Sequence, residues 1–287
     1  MKPISRALAD AARQLSATSD SARLDAELLM AEALHIDRDR LLLAPPDRAI
    51  PQRFWTMVDR RLAGEPVAYI TGRRAFWDIE LHVGPGVLVP RPDSEVLISS
   101  ALEHFNGTGG PERILDLGTG PGTLLLAAVD VWPQATGVGI DVSRHALSYA
   151  TANARRLGFD HRVRFALGDW ATGIDEQFDL ILCNPPYVAA DAPLGAGVRE
   201  YEPDEALFAG EEGLDAYREL APQLPRLLRD GGLAAVEIGY DQAEPVTALL
   251  AREGLGARVV NDLAGRPRAV LLTWAGTKTL GNRAEAH

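Results

Sequence analysis

Ile114-Leu-Asp-Leu-Gly-Thr-Gly-Pro-Gly-Thr123 is the stretch on which the fold turns. Its opening residues are mostly apolar and read as a buried strand. The glycines at 118, 120 and 122 let the backbone swing from strand to helix and come close to a ligand. The spacing is G-x-G-x-G. A dinucleotide fingerprint would need glycine where Thr123 stands, so the loop favours a ligand without a pyrophosphate. Asp116, just before the loop, adds an acidic group near that ligand.

Strands and helices alternate on both sides of this turn, with short connections. Candidate strands cover residues 113–117, 136–140, 163–167, 180–183, 233–238, 259–263 and 269–274. Candidate helices cover 123–131, 144–157, 216–229 and 243–253. In the second of these, Ala146, Ala150, Ala154 and Leu157 share one face, Ser143 caps the start and Gly158 ends the helix. Such alternation predicts an α/β fold with a doubly wound, mostly parallel, seven-stranded sheet.

The chain ahead of the sheet reads differently. Residues 1–72 predict a small helical domain. One helix follows the Ser19-Asp20-Ser21 capping cluster with Leu24, Leu28, Ala31 and Leu34 on its apolar face. Another starts near Pro51, carries Phe54, Val58 and Leu62, and stops at Gly64. Residues 73–92 predict a β-hairpin connector, with arms at 76–83 and 87–89 around Gly84-Pro85-Gly86. A helix capped by Asp93 or Ser94 then runs from Glu95 to about Phe105, and the sheet domain extends over 93–276. Residues 277–287 read as a frayed tail.

Three further strand ends carry chemistry. Asp141 closes Gly139-Ile140-Asp141, where a carboxylate can accept both hydroxyls of a ribose; the alternative is a place in the capping region of the helix after Ser143. Asp169-Trp170 follows the third strand, offering a carboxylate to the amino group of an adenine and an indole to its plane. Asn184-Pro-Pro-Tyr187 follows the fourth. Pro186 has no N–H, so the Pro185 carbonyl and the Asn184 side-chain oxygen can converge as acceptors on one planar –NH2 group beside an aromatic ring. An ordinary strand-to-loop exit uses the same residue types. Open α/β sheets bind ligands outside the carboxyl ends of their strands, so these four ends predict one crevice.

Composition narrows the function. The 287 residues carry a net charge of −11, which opposes nonspecific coating of nucleic acid. Lysine stands only at Lys2 and Lys278, so there is no Walker A loop and no mid-chain Schiff-base lysine. The single cysteine, Cys183, allows no internal disulfide or multi-thiolate metal site and reads as a small buried hydrophobe. The six histidines show no ligand spacing, so no metal is expected. No secretory signal and no membrane-length apolar run are read, which places the protein in the cytoplasm. The pairs Arg60-Arg61 and Arg73-Arg74 are candidate contacts by charge only, and solvated surface is the better account of each.

Together, Asp116-Leu-Gly-Thr-Gly-Pro-Gly122, Asp141, Asp169-Trp170 and Asn184-Pro-Pro-Tyr187 resemble the class I S-adenosylmethionine methyltransferases that act on amide or amine nitrogen. More narrowly, the chain resembles the HemK family, the protein-(glutamine-N5) methyltransferases of peptide-chain release factors. That likeness runs through Asp25-Ala-Glu-Leu-Leu29, Pro66-Val-Ala-Tyr-Ile-Thr-Gly72, Leu88-Val-Pro-Arg-Pro92, Tyr201-Glu-Pro203, Ala206-Leu207, Glu237-Ile-Gly239 and Asp262-Leu-Ala-Gly265. Two positions depart from the family pattern, Pro121 in the glycine loop and Pro92-Asp-Ser-Glu95; neither removes an acceptor.

The resemblance implies S-adenosylmethionine as cofactor, contacted by Asp116, Gly118, Thr119, Gly120, Pro121, Gly122, Asp141, Asp169, Trp170 and Asn184. It implies a glutamine side chain bound at Asn184, Pro185, Pro186 and Tyr187, with Asn184, Pro185 and Tyr187 carrying the catalysis. The implied partner is a peptide-chain release factor presenting its Gly-Gly-Gln loop; the acidic balance and the lack of a membrane-length apolar run predict no stable nucleic-acid or membrane binding, and the sequence leaves the oligomeric state open, with a monomer expected. The rivals are the sister family that methylates a ribosomal-protein glutamine, a DNA adenine-N6 methyltransferase, and a binding module with an idle pocket. Val89-Pro-Arg-Pro-Asp-Ser-Glu95 fits the release-factor group better than the first, and the acidic balance opposes the second.

Overall fold

The computed structural model describes residues 3–44, 46–195, 197–251 and 254–276; the tail expected from 277 lies outside them. Contacts divide the chain into two compact units.

The first holds the described residues of Met1–Arg73, Val83–Pro85 and Pro193–Glu202. Its helices are Pro3–Leu15, Ala22–Leu34, Arg38–Leu43, Gln52–Leu62 and Val67–Thr71, with a short turn of helix at Val198–Tyr201. Leu8, Ala11, Leu15, Leu29, Met30, Phe54 and Val58 fill the core between them. The apolar face of Ala22–Leu34 matches the expected spacing only in its second half, where Ala31 and Leu34 are buried. Leu24 is exposed and Leu28 half-buried, while Ala26, Leu29, Met30 and Ala33 point inward. The cap also differs. Ser21 makes no capping bond; the Ser19 and Ser21 hydroxyls both donate to the buried Asp25 carboxylate at 2.8 Å. Arg61 Nε donates to the same carboxylate at 2.8 Å and joins two helices. The other arginines singled out by charge are likewise engaged, Arg60 with Glu65, Arg73 with Glu32, and Arg74 with the Pro90 carbonyl. They are not simply solvated. Gly197 is required by space: a Cβ there would stand 2.0 Å from the Gly64 carbonyl oxygen.

The second unit holds the described residues of Arg74–His82, Gly86–Ala192 and Pro203–His287. The hairpin is shorter than expected and displaced toward the N-terminus. Its arms are β1 (Arg73–Phe76) and β2 (Ile79–His82), joined by Trp77 and Asp78. Residues 87–89 form no strand, and Val87 and Leu88 line a cavity. The helix Glu95–His104 follows.

The main sheet comprises β3 (Arg113–Leu117), β4 (Thr136–Asp141), β5 (Val163–Leu167), β6 (Phe178–Cys183), β7 (Leu228–Glu237), β8 (Leu255–Asn261) and β9 (Pro267–Trp274). The order is β5-β4-β3-β6-β7-β9-β8, parallel except where β9 pairs with β7 and β8. Helices Thr123–Val131 and Arg144–Leu157 match expectation, and Ser143 Oγ accepts from Ala146 N as the cap. The helix expected at 216–229 is two pieces, Asp215–Leu220 and Leu224–Leu227. Pro222 and Pro225 lack the N–H that a continuous helix would need. The last helix, Ala243–Leu250, ends before the expected 253, whose final residues are outside the described set. Among the described residues no helix is long and apolar enough to cross a membrane.

Candidate active site

Register sets the site. Leu117 lies opposite Ile140 on one side and Cys183 on the other, so the next residue of each strand comes level at the sheet edge. Those residues are Gly118, Asp141 and Asn184. Asp141 lies opposite Leu167, which carries Gly168-Asp169-Trp170 to the same edge. The strand order reverses direction between β3 and β6, and that switch point is where open sheets leave a crevice.

A cavity of about 240 Å³ opens there. Asp116, Gly118, Thr119, Gly120, Pro121, Asp141, Asp169, Trp170, Asn184 and Pro186 line it, as the strand ends suggested. Gly122, Pro185 and Tyr187 do not. Gly122 has φ +88° and starts the helix Thr123–Val131, where a Cβ would stand 2.8 Å from Leu126 Cδ1; its contribution is the turn and the packing. Tyr187 leans on the sheet core, and its hydroxyl donates to Glu237 Oε1 at 3.3 Å. Burial raises that phenol well above its ordinary range, so it stays a donor.

Asp141 holds the glycine loop. Its Oδ2 accepts from Gly120 N and its Oδ1 from Ser143 N, both at 2.8 Å. Asp116 is buried beneath the loop, and its Oδ2 accepts from Thr119 Oγ1 at 2.6 Å and Leu125 N at 3.2 Å. Its Oδ1 is buried with no partner among the described residues. Burial pushes the Asp116 carboxyl up to about 7, and the nearby Asp141 charge adds to the rise. Trp170 adopts φ +48°, packs against the core and donates Nε1–H to Glu219 at 2.8 Å. Asn184 Nδ2 donates to Ser94 Oγ at 3.1 Å, and among the described residues its Oδ1 receives no donor. Cys183 is buried in the core, and burial raises its thiol.

Sequence reading did not give the other wall a role. Gly86, Val87, Leu88, Pro90, Arg91 and Ser94 line the cavity, with Pro203, Glu205 and Ala206 opposite in the chain. It also gave no role to the buried groups behind Asn184. Glu237 is fully buried at the end of β7, and Arg268 is 7 % exposed on β9. Arg268 Nη2 meets Asp93 at 3.3 Å and Asp262 at 3.2 Å. The available signal was a carboxylate ending the apolar run 233–236, which a solvated strand end would imitate.

Glu237, like Asp116, is pushed up to about 7 by burial. Both carboxyls bind protons more tightly folded than unfolded. Between the ordinary carboxylate range and about 7 the folded state thus holds extra protons, and stability must fall as pH rises through that window. Each group contributes on the order of a few kcal/mol. The ligand-free protein should therefore melt at a lower temperature at pH 8 than at pH 6 in a calorimetric series. Asp116→Asn should raise the pH 8 value by a few degrees. A melting temperature that climbs from pH 6 to pH 8 would contradict this account.

Known proteins place this architecture. A family model described as the PrmC N-terminal domain matches residues 6–72, and one described as a methyltransferase domain matches residues 110–251. A release factor glutamine methyltransferase of Caulobacter vibrioides is 42 % identical over 263 residues, covering 88 % of this chain and 89 % of its own. That of Rhodospirillum rubrum is 44 % identical over 255 residues, covering 87 % and 78 %. That of Moorella thermoacetica is 40 % identical over 275 residues, covering 93 % and 96 %. Among solved structures, a methyltransferase from Pyrococcus furiosus has a TM-score of 0.53 at 18 % identity, covering 69 % of this chain and 90 % of its own. At that identity the likeness is one of fold.

Proposed function

This chain belongs to the family of release factor glutamine methyltransferases, and we propose that it transfers a methyl group from S-adenosylmethionine to the side-chain nitrogen of the glutamine in a release factor's Gly-Gly-Gln loop. The observation that carries the reading is Asn184: it lines the cavity, its Nδ2 is taken by Ser94, and among the described residues its Oδ1 has no donor, so an acceptor is left over. A substrate –NH2 group is the complement of such an acceptor. Cytoplasmic location, a monomeric chain and the lack of stable nucleic-acid or membrane binding complete the reading.

The residues present fit the cofactor. Asp116 Oδ1, buried and unpartnered beside the cavity, suits an ammonium group, and a desolvated carboxylate gains most from a cation. Asp141 retains acceptor capacity for ribose hydroxyls after its two backbone bonds. Asp169 and Trp170, which line the cavity, offer a carboxylate for an adenine amino group and an indole for its ring. When bound there, S-adenosylmethionine supplies an electrophilic methyl group.

The chain's own part is orientation. An amide nitrogen is a poor nucleophile because its lone pair is delocalised into the carbonyl. Asn184 Oδ1, accepting an N–H hydrogen, holds the nitrogen in one pose and favours localisation of that pair; Pro185, outside the cavity lining, is offered as the second acceptor by the motif alone. Their dipoles also stabilise the positive charge that grows on nitrogen. Pro186 contributes by having no N–H to compete for those acceptors. Tyr187 keeps the far end of the motif in place through Glu237. No residue is assigned as a strong base, because an N-alkylated amide cation sheds its proton readily.

The test is methyl transfer from labelled S-adenosylmethionine to a release factor and to its Gly-Gly-Ala variant, with ribosomal proteins and duplex DNA in parallel. Label on the intact factor alone is expected. Label on DNA or a ribosomal protein instead would overturn the substrate while keeping the fold.

A further inference from the structure

We infer that the outward face of the helix Arg144–Leu157 is a docking surface for a carboxylate-rich segment of the protein substrate, beside the cavity that takes its glutamine. The inference deepens the release-factor reading and rests on it. The helix starts at the cavity, whose wall includes Ser143 and Ala146. Ala146, Ala150, Asn153 and Ala154 are buried on its inner side. Its other side carries an open hollow of about 410 Å³, lined by Arg144, Leu147, Ser148, Thr151, Ala152 and Arg155. Arg144 and Arg155 stand at the two ends of that hollow, about 16 Å apart along the axis. Arg156 is exposed next to Arg155.

Charge selects the occupant. The 14-residue helix holds no aspartate or glutamate, so it lacks the ion pairs that exposed helix faces form between residues three or four apart. Among the described residues, the guanidiniums of Arg144, Arg155 and Arg156 meet no hydrogen-bond, ion-pair or ring partner; of the other described arginines only Arg40 shares that state. From Val142 to Gly168 there are five arginines and a single acid, Asp160, in a chain whose net charge is −11. The helix dipole favours Arg155 and Arg156 in the last turn, but Arg144 stands in the first turn, against it. Helix stability therefore does not account for all three. Guanidiniums with open donor forks match carboxylates, which bind them in bidentate pairs. A nucleic acid fits less well. Three free cations fall short of the roughly 6–10 phosphate contacts on which such binding draws, and the overall charge opposes it. Complementary charge here would speed encounter and hold the substrate against the cavity mouth, leaving the chemical step to the cavity.

The test is steady-state transfer to a release factor, with binding of the factor followed separately by calorimetry in the presence of S-adenosylhomocysteine. The double variant Arg155→Ala/Arg156→Ala should raise KM and Kd for the factor by about 10-fold, and Arg144→Ala by about threefold. In both, kcat and cofactor Kd should stay within about twofold, because the lost side chains are exposed and outside the cavity lining. Raising salt from about 50 to about 250 mM should weaken factor binding more steeply in the wild type than in the double variant. Arg258→Ala, a charge loss on β8 at the opposite edge of the sheet, should change factor affinity by less than about twofold. Wild-type factor affinity in the double variant, or an equal loss in Arg258→Ala, would overturn the docking surface. An unstructured RNA titrated in parallel should not bind; RNA binding that the double variant loses while factor affinity holds would replace the acidic occupant with a nucleic acid. A wild type that neither binds nor methylates the factor would overturn the release-factor reading, and the docking surface with it. A wild type that does both leaves that reading standing whatever the variants show.

Discussion

Asn184→Ala should lower kcat for glutamine methylation by about 10³-fold while leaving the cofactor dissociation constant within about fivefold. Asn184 is a cavity-lining side chain at the switch point whose amino group is already spent on Ser94 and whose oxygen has no donor among the described residues. Alanine removes the acceptor and leaves the substrate N–H unpaired, so the loss falls on the chemical step. Oriented dipoles in a water-poor site typically contribute two to three decades each. The glycine loop and its Asp141 tether do not pass through Asn184, which is why cofactor binding should survive. Single-turnover rates beside calorimetric cofactor titration would separate the two. Near-normal turnover would remove Asn184 from its role.

Asp141→Ala should act in the opposite order, weakening cofactor binding by about 10²-fold before it limits turnover at saturation. One carboxylate holds Gly120 N and Ser143 N, both at 2.8 Å, so it ties the loop after β3 to the start of the helix after β4. Hydrogen bonds to a charged group contribute roughly 1.5–3 kcal/mol each, and loss of the loop tether adds to any loss of ribose contact. Asp141→Asn is the informative partner, because an amide oxygen can keep one backbone bond. It should recover part of the affinity. Unchanged affinity in both variants would mean that Asp141 serves only the helix start, the alternative its position always left open.

The inner strands β3, β4 and β6 were legible because each is built on a short apolar run buried on both faces, whereas the edge strand β5 is only half-buried and was marked by the Gly168 that follows it. The broken helix after Leu214 was written in Pro222 and Pro225, yet the apolar pattern across them outweighed the two prolines. The hairpin was misplaced because Gly84-Pro85-Gly86 is the stronger local turn signal, whereas Trp77 turns with φ +53°, a conformation that an isolated tryptophan disfavours. Asn153, at the middle of a helix, receives His82 N and donates to the His82 and Pro121 carbonyls. Nothing in its neighbours announces that it ties the hairpin to the glycine loop.

The sequence by itself determined the sheet, its order of chemistry-bearing strand ends, and the convergence of Asp116, Asp141, Asp169 and Asn184 on one edge. Strand register follows from local pattern, and register alone brings successive strand ends level. Only the tertiary structure decided which way those groups are aimed. Ser94, Tyr187, Glu237 and Arg268 come from four segments far apart in the chain. Their hydrogen bonds exist only once burial has removed water as the competing partner.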